Sequence, residues 1–422
     1  MKVFTELSSI KKGDLNFCSL SKRFFENENL PVRFVSVKST EDQYETEIDL
    51  VKLEGYHWGN KSDIFELQER KKENVDQFTA VLIIPTGIGC DVGGHCGDGN
   101  AVARLVASSC DTLITHPNVV NGADYNEMTD NTLYVEGSTL TRLIMGQIGL
   151  QPVRSNRLLM LVDSAPRFFN DEIINAVSTA RVSLGINCEV HEMSDLPHLK
   201  ISKSKSGRAI GTLHYLERLF NIVAEFESNY DAFALSTLID EETDYYWDYY
   251  NPKKCKPSDL IANPIGGIEA MLTHTLVKKF NKPCAHAPLQ KDFSPQLGVL
   301  DPRKAAESYT TKEVHCILKG LFKSPKIVDY DLGLNVEDVS CVIIPAGCLG
   351  LPVLACIEQG IPVIAVEDRN LMKNKLENLP FRKDKFFKAR DYVHAVGIMQ
   401  VIKNGMSLDS LLRPVDFTKI LK

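Results

Sequence analysis

The 422-residue chain has no uninterrupted apolar run near the roughly 18 residues that a membrane span needs. Its longest runs, around Val81–Pro85 and Val342–Pro345, have the length of buried strands. The opening residues, MKVFTELSSIKKGDLNF, scatter acids and lysines where a signal peptide carries an unbroken apolar region. A basic excess is missing too: 48 Lys plus Arg stand against 55 Asp plus Glu, a net charge of −7 at pH 7. That balance disfavours a protein that holds nucleic acid by neutralising phosphates. The eleven cysteines form no CxxC pair and no regular framework, a pattern suited to free thiols. These absences predict a cytoplasmic protein with neither a membrane nor a nucleic-acid partner.

Chemical signatures are equally sparse. The glycines match neither GxGxxG nor GxxxxGK[ST], which disfavours classical NAD binding and P-loop nucleotide binding. A GxSxG elbow is absent, so an α/β-hydrolase is disfavoured, and there is no HExxH helix. Asp91, His95, Asp98 and His116, with His274 and His286, are the residues that would hold a metal. Their irregular spacing over separate elements predicts none. No cofactor is predicted.

What is present is the composition of a folded globular chain, 44% apolar and 24% charged. Residues 1–78 read as a small N-terminal α+β segment, with strands PVRFVSVKS and YETEIDLVKL joined by the turn TEDQ. From Thr79 the texture changes. Strand-length apolar runs occur at 80–85, 112–116, 157–163, 187–193, 231–237, 283–288, 340–345 and 362–368. They alternate with helix-length segments at 99–109, 170–184, 213–227, 267–280, 311–322 and 351–359. Continuous apolar strands alternating with helices predict the α/β class: doubly wound, mostly parallel sheets covered on both faces. The runs VLIIPTGIG (81–89) and CVIIPAGCLG (341–350) echo one another and suggest two Rossmann-like lobes, 79–238 and 239–422. The aromatic-acidic tract TDYYWDYY (243–250) then reads as a hinge or lid, a stacking surface or a subunit contact.

The most informative segment is IPTGIGCDVGGHCGDGN (84–100), a glycine-rich loop between a strand and a helix. Glycine permits positive φ and close approach of backbone N–H groups, and a helix N-terminus favours an anion. Gly87, Gly89, Gly93, Gly94 and Gly97 are therefore expected to cradle a carboxylate or phosphate, with Asp98 or Asn100 capping the helix. In an open α/β sheet ligands bind beyond the strand carboxyl ends. That rule gathers His116, Asn118 and Asn121 after one strand, and Asn263, Gly266, Gly267 and Glu269 in NPIGGIEA. It adds Glu136, His286, and Gly347 with Cys348 in IPAGCLG.

The run IPTGIGCDVGGHCGD, with CDTLITHPNVVN and LYVEGSTLTRLIMG, resembles an uncharacterised family of bacterial proteins classed as a domain of unknown function. NPIGGIEA and PAGCLGLPVLACIEQGIPVIAVEDR extend the resemblance over about residues 80–370. It implies no particular activity. More locally, VIIPAGCLGLPVLACIEQGIPVIAV is similar to the strand–loop–helix–strand unit of aspartate/glutamate racemase-type enzymes. That resemblance implies Cys348 as a proton-transferring group, with Cys90 or Cys96 as the only thiols of the first lobe to face it.

The expected function is an enzyme acting on a small anionic metabolite in a cleft between the lobes, by isomerase-, lyase- or hydrolase-type acid/base chemistry. His95, His116, Asp91 and Cys348 are the candidate acid/base groups. A non-catalytic small-molecule binder and a two-lobed transferase with a nucleotide-activated donor are the rival readings, and a homodimer is a candidate assembly.

Overall fold

Alternation of apolar and polar residues near the start of the chain builds a sheet with one buried face. β1 (Lys2–Lys11), β2 (Asn29–Ser39) and β3 (Gln43–Lys52) pair antiparallel, with β3 in the middle. The TEDQ turn joins β2 to β3 as expected, closed by a Thr40 N–H to Gln43 carbonyl bond of 2.8 Å. The computed structural model describes the chain except residues 26–27, 60, 96, 122–126, 165–166, 195–196, 241–243, 251–258, 290–302, 304, 306–312, 419 and 421–422. Cys96 and Thr243 thus lie outside the described residues.

β4 (Thr79–Leu82), β5 (Thr112–Thr115) and β6 (Thr132–Tyr134) follow, then β7 (Gly149–Gln151), β8 (Arg157–Asp163) and β9 (Asn187–Met193). Next come β10 (His198–Lys203), β11 (Ala209–His214), β12 (Ala232–Ser236), β13 (Ile239–Asp240), β14 (Cys284–His286) and β15 (Lys326–Val328). The last strands are β16 (Val339–Pro345), β17 (Leu349–Gly350), β18 (Val363–Val366) and β19 (Phe386–Ala389). The apolar runs form two all-parallel sheets, ordered β19-β18-β16-β4-β5-β6 and β14-β12-β8-β9. Every residue of β4, β12, β16 and β18 is buried, as strands covered on both faces must be. The fold is mixed α/β.

The strands do not follow chain order. β16 lies beside β4, pairing Val342 with Val81 and Ile343 with Leu82. The two echoing IIP runs are therefore neighbours in one sheet, and their loops leave its carboxyl edge side by side. Each parallel sheet takes strands from both sides of residue 239. The N-terminal strands also recruit β10, β11, β13 and β17 into a seven-stranded sheet, so the boundaries drawn at 78 and 238 separate no sheets.

Three local expectations change. The helix expected at 213–227 spans Leu216–Phe226, because AIGTLH alternates buried and half-buried positions and pairs with β1 as strand β11. β4 ends at Leu82 instead of Pro85, since the Ile84 N–H turns to a histidine ring. The aromatic tract contains a helix, Asp244–Tyr250, whose Tyr249 is buried.

The helix Gly266–Phe280 links the layers. A Cβ on Gly267 would lie 2.2 Å from the Ala209 carbonyl oxygen, so backbone meets backbone there. Gly267→Ala should therefore cost about 1–3 kcal/mol in urea unfolding, because backbone cannot give way as a flexible side chain can. The exposed helical Gly397 has nothing within 4 Å of an added Cβ. Gly397→Ala should raise stability by roughly 0.5–1 kcal/mol. Equal effects at the two sites would contradict the tight contact.

Candidate functional site

On the helix Gly266–Phe280, Gly266, Glu269, Ala270, Thr273, His274 and Lys278 recur at helical spacing and share one face. That face lines a cavity of about 220 Å³. The other walls are β2, the loops after β4, β5 and β16, and the helix Gly137–Ile144. The loops after β4 and β16 contribute Thr86 and Ile88 on one side and Cys348 and Leu349 on the other, so both meet in one cavity.

Glu136 precedes the Gly137–Ile144 helix as its N-cap. Its Oε2 accepts the N–H groups of Ser138 and Thr139, both at 3.0 Å, and the Ser138 hydroxyl at 2.5 Å. Its Oε1 is bonded to His274 Nδ1. Burial alone would raise the Glu136 pKa, but His274 and the capping donors outweigh it and hold the carboxyl at about 2. Gly137 leaves room for the ring, since a Cβ there would sit 3.1 Å from His274 Cε1. His274 Nε2 has no hydrogen-bond partner among the described residues.

His116 sits on the cavity wall with its Nε2 accepting the Ile84 N–H at 3.1 Å. Burial lowers its pKa to about 4, against the pull of Glu136, so near pH 7 the ring is neutral. Because Nε2 is the acceptor, the proton lies on Nδ1, which bonds no described residue. A second carboxylate–imidazole pair adjoins: His286 Nδ1 lies 2.8 Å from Glu269 Oε1, and His286 Nε2 lies 2.9 Å from the Thr237 hydroxyl.

Arg142 and Lys278 also line the cavity, and neither has a carboxylate within ion-pair distance among the described residues. The Lys278 ammonium donates to the Ser62 carbonyl at 2.6 Å. Burial and the Arg142 charge bring its pKa down to about 7, while Asp63 opposes the shift. At the other end Arg33 and Arg208 border the cavity.

Of the residues expected from sequence, the cavity takes in His116, Asn118, Asn121, Glu136, Gly266, Glu269, His286 and Cys348. Asn118 braces the loop, donating to the Ile84 and Gly93 carbonyls at 2.8 and 2.7 Å. Asn121 accepts the Tyr134 hydroxyl at 2.8 Å. The glycine loop reaches the cavity through Pro85, Thr86 and Ile88, while its glycines lie outside the lining and are packed against the chain. An added Cβ on Gly87 would lie 2.9 Å from the Ala209 carbonyl oxygen, on Gly94 2.0 Å from that of Cys90, and on Gly347 2.7 Å from that of Met372. Gly89 abuts the Ile261–Ala262 backbone and Gly93 the Ile84 side chain; Gly97 takes φ +82°.

Asp91 is held by Arg369 and Arg303 at 2.6 and 2.7 Å, and His95 Nδ1 by the Tyr249 hydroxyl at 2.6 Å. Asp98 accepts the His95 N–H instead of capping the helix, and burial raises its pKa to about 7. Asn263 Oδ1 accepts the Ile265 N–H, a turn bond that sets the start of the Gly266–Phe280 helix. Burial and the neighbouring Cys348 push the Cys90 thiol well up, which keeps it protonated. Among the described residues no three His, Cys, Asp or Glu side chains stand together as a metal cluster. Arg33, Arg142, Arg208 and Lys278 were not picked out from the sequence, and His274 appeared there only as a metal ligand. A cation gives no local sign of its surroundings; for His274, its place two turns after Gly266 on the same helix is the one available signal.

Fold and site define an α/β protein with a cavity lined by carboxylate-held histidines and by cations that have no carboxylate partner among the described residues. Residues 79–412 match the family model described as protein of unknown function (DUF3326), and the chain belongs to that family. An uncharacterized lipoprotein of a Synechococcus strain is 31% identical over 354 residues, covering 78% of this chain and 92% of that protein. No solved structure matches the chain. The relative's name corrects the cytoplasmic expectation. The grounds for that expectation do not report on compartment: nine described cysteines are free, and a core of this size needs no disulfides in any compartment. No described helix is long and apolar enough to cross a membrane.

The His116 shift makes a pH prediction. Its folded pKa of about 4 lies below the ordinary 6.5, so the unfolded chain binds the extra proton first. The stability that neutral His116 confers is complete above pH 6.5 and lost as pH falls toward 4, about 3 kcal/mol in all. Urea unfolding of wild type and His116→Gln should show a gap at pH 7 that narrows steadily toward pH 4. A gap independent of pH would mean that His116 is not held neutral.

Proposed function

We propose that this protein is an enzyme that binds a small carboxylate- or phosphate-bearing metabolite in the cavity and moves a proton to or from it. The carrying observation is one arrangement. The carboxylate-held His274 with a free Nε2, the neutral His116 with a free Nδ1–H, and the unpaired Arg142 and Lys278 all line the same cavity.

Each group has a distinct task. Arg142 and Lys278 hold the anion, since a half-buried cation without a counter-ion gains from one. His274 Nε2 is the proton acceptor, with Glu136 fixing ring orientation and stabilising the imidazolium that forms. His116 donates its Nδ1–H to oxygen that gains negative charge; being neutral, it gives a hydrogen bond without surrendering the proton. The Glu269–His286–Thr237 chain supplies a second proton-handling group on the cavity wall. This set serves isomerase, lyase or hydrolase chemistry alike. The lipoprotein name of the Synechococcus relative supports a membrane-anchored setting.

Binding should carry a proton signature. Free Lys278 titrates near 7, and an anion beside it raises that value. Calorimetry of small carboxylates and phosphates in buffers of different ionisation enthalpy should show proton uptake at pH 8 and almost none at pH 6. Lys278→Arg should keep anion binding and abolish the uptake. A panel in which no anion raises the melting temperature would refute the reading, as would uptake that persists in the variant. Once a reactive ligand emerges from the panel, His274→Gln should lower its turnover about 10²-fold or more.

A further inference from the structure

The cavity has a second set of donors that the proposed chemistry does not use. Arg208 is 2% exposed and donates through Nε to Glu47 Oε2 at 2.5 Å. Arg33 donates through Nε to Asp49 Oδ2 at 2.6 Å. In both guanidinium groups Nη2 has no hydrogen-bond partner among the described residues; that of Arg208 comes no closer to Asp49 than 3.6 Å. The carboxylates are already engaged elsewhere. Ser206 donates to Glu47 at 2.8 Å and Thr5 to Asp49 at 2.7 Å. The buried Arg208 and the half-buried Arg33 are thus matched in charge by two buried anions, while their hydrogen-bonding capacity is not exhausted. Such a donor calls for an acceptor that the fold does not supply.

Position gives this surplus its meaning. Arg208 directly precedes Ala209, whose backbone meets Gly267 at the start of the long helix. Arg33 lies close enough to Arg208 for their charges to interact. Lys278 lies twelve residues beyond Gly266 on the same helix, about 18 Å of axis. Arg142 donates to Asn281, the C-cap of that helix. The cavity therefore carries cationic donors at both ends of one helical face. Phe34, Leu140, Ala270 and Ile344 lie among its other lining residues.

The geometry points to a ligand with two anionic groups joined by an apolar spacer, most simply a linear dicarboxylate. One carboxylate sits on Arg142 and Lys278, the other on the Nη2 groups of Arg33 and Arg208. This rests on the anion reading of the first end and adds a second subsite to it. Guanidinium suits the second carboxylate because a planar fork can give two parallel hydrogen bonds to it.

The test is calorimetry with succinate, adipate and suberate against monocarboxylates of matched length, on wild type, Arg33→Gln and Arg33→Lys. Arg33 is the residue to change because Asp49 keeps Thr5 and the Arg208 charge beside it. In wild type one dicarboxylate should bind at least about tenfold tighter than its matched monocarboxylate. Arg33→Gln should erase that advantage and leave monocarboxylate affinity and proton uptake as in wild type. Arg33→Lys, which keeps the charge beside Asp49, covers the case in which the glutamine variant fails to fold; it should reduce the advantage. Equal binding of both series by wild type would overturn the second subsite while the first anion site stands. An advantage as large as that of wild type in either variant would overturn it too. Absence of binding and of proton uptake for every carboxylate would overturn both.

Discussion

The contact on which the site depends is that of Gly267 with the Ala209–Ile210 backbone, where a Cβ would come within 2.2 Å of a carbonyl oxygen. Only a residue without a side chain lets the Gly266–Phe280 helix start against strand β11. The helix thereby lies between the N-terminal antiparallel sheet and the loops of the larger parallel sheet. Once its start is set, helical periodicity decides which of its side chains reach the cavity: Gly266, Ala270, His274 and Lys278 follow one another four residues apart, with Glu269 at the edge of that stripe. Asn263 reinforces the same start by accepting the Ile265 N–H at 2.9 Å.

Electrostatics around the cavity divides into groups whose needs are met within the protein and groups whose needs are not. Glu136 is fully served by His274 and the donors of its own helix cap, which is why its carboxyl stays ionised despite burial. Asp91, likewise, is satisfied by Arg369 and Arg303. Arg142 and Lys278 have no such partner among the described residues, and the Lys278 ammonium is correspondingly destabilised. Burial of unpaired cations is costly to folding.

The glycine-rich loop illustrates how one residue pattern can answer to two demands. Its positive φ values at Gly87, Gly89, Gly93 and Gly97 are those of a loop folded on itself, and they serve close approach as glycine does at ligand sites. Here the approaching groups are the protein's own carbonyls and side chains. The loop lines the cavity with Thr86 and Ile88, and it also acts through the Asn118 brace from Ile84 to Gly93 and the Ile84 N–H that fixes the His116 tautomer.

Local sequence alone determined the class of fold and the edge at which the site lies. Apolar runs such as SCVIIP and PVIAVED can only be strands buried on both faces, and loops leaving their carboxyl ends must share an edge. His116, Glu136, Glu269 and His286 were legible for that reason, as polar residues at the ends of such runs or at the start of a helix. Tertiary structure decided the rest. That β16 lies beside β4, some 260 residues away, follows from sheet order, which no local periodicity encodes. Whether a lysine or arginine is solvated or covered depends on what packs over it, so no local pattern singles out Arg33, Arg142, Arg208 or Lys278. The pairing of His274 with Glu136 joins two helices 138 residues apart, and only the packing of those helices brings the ring to the carboxylate.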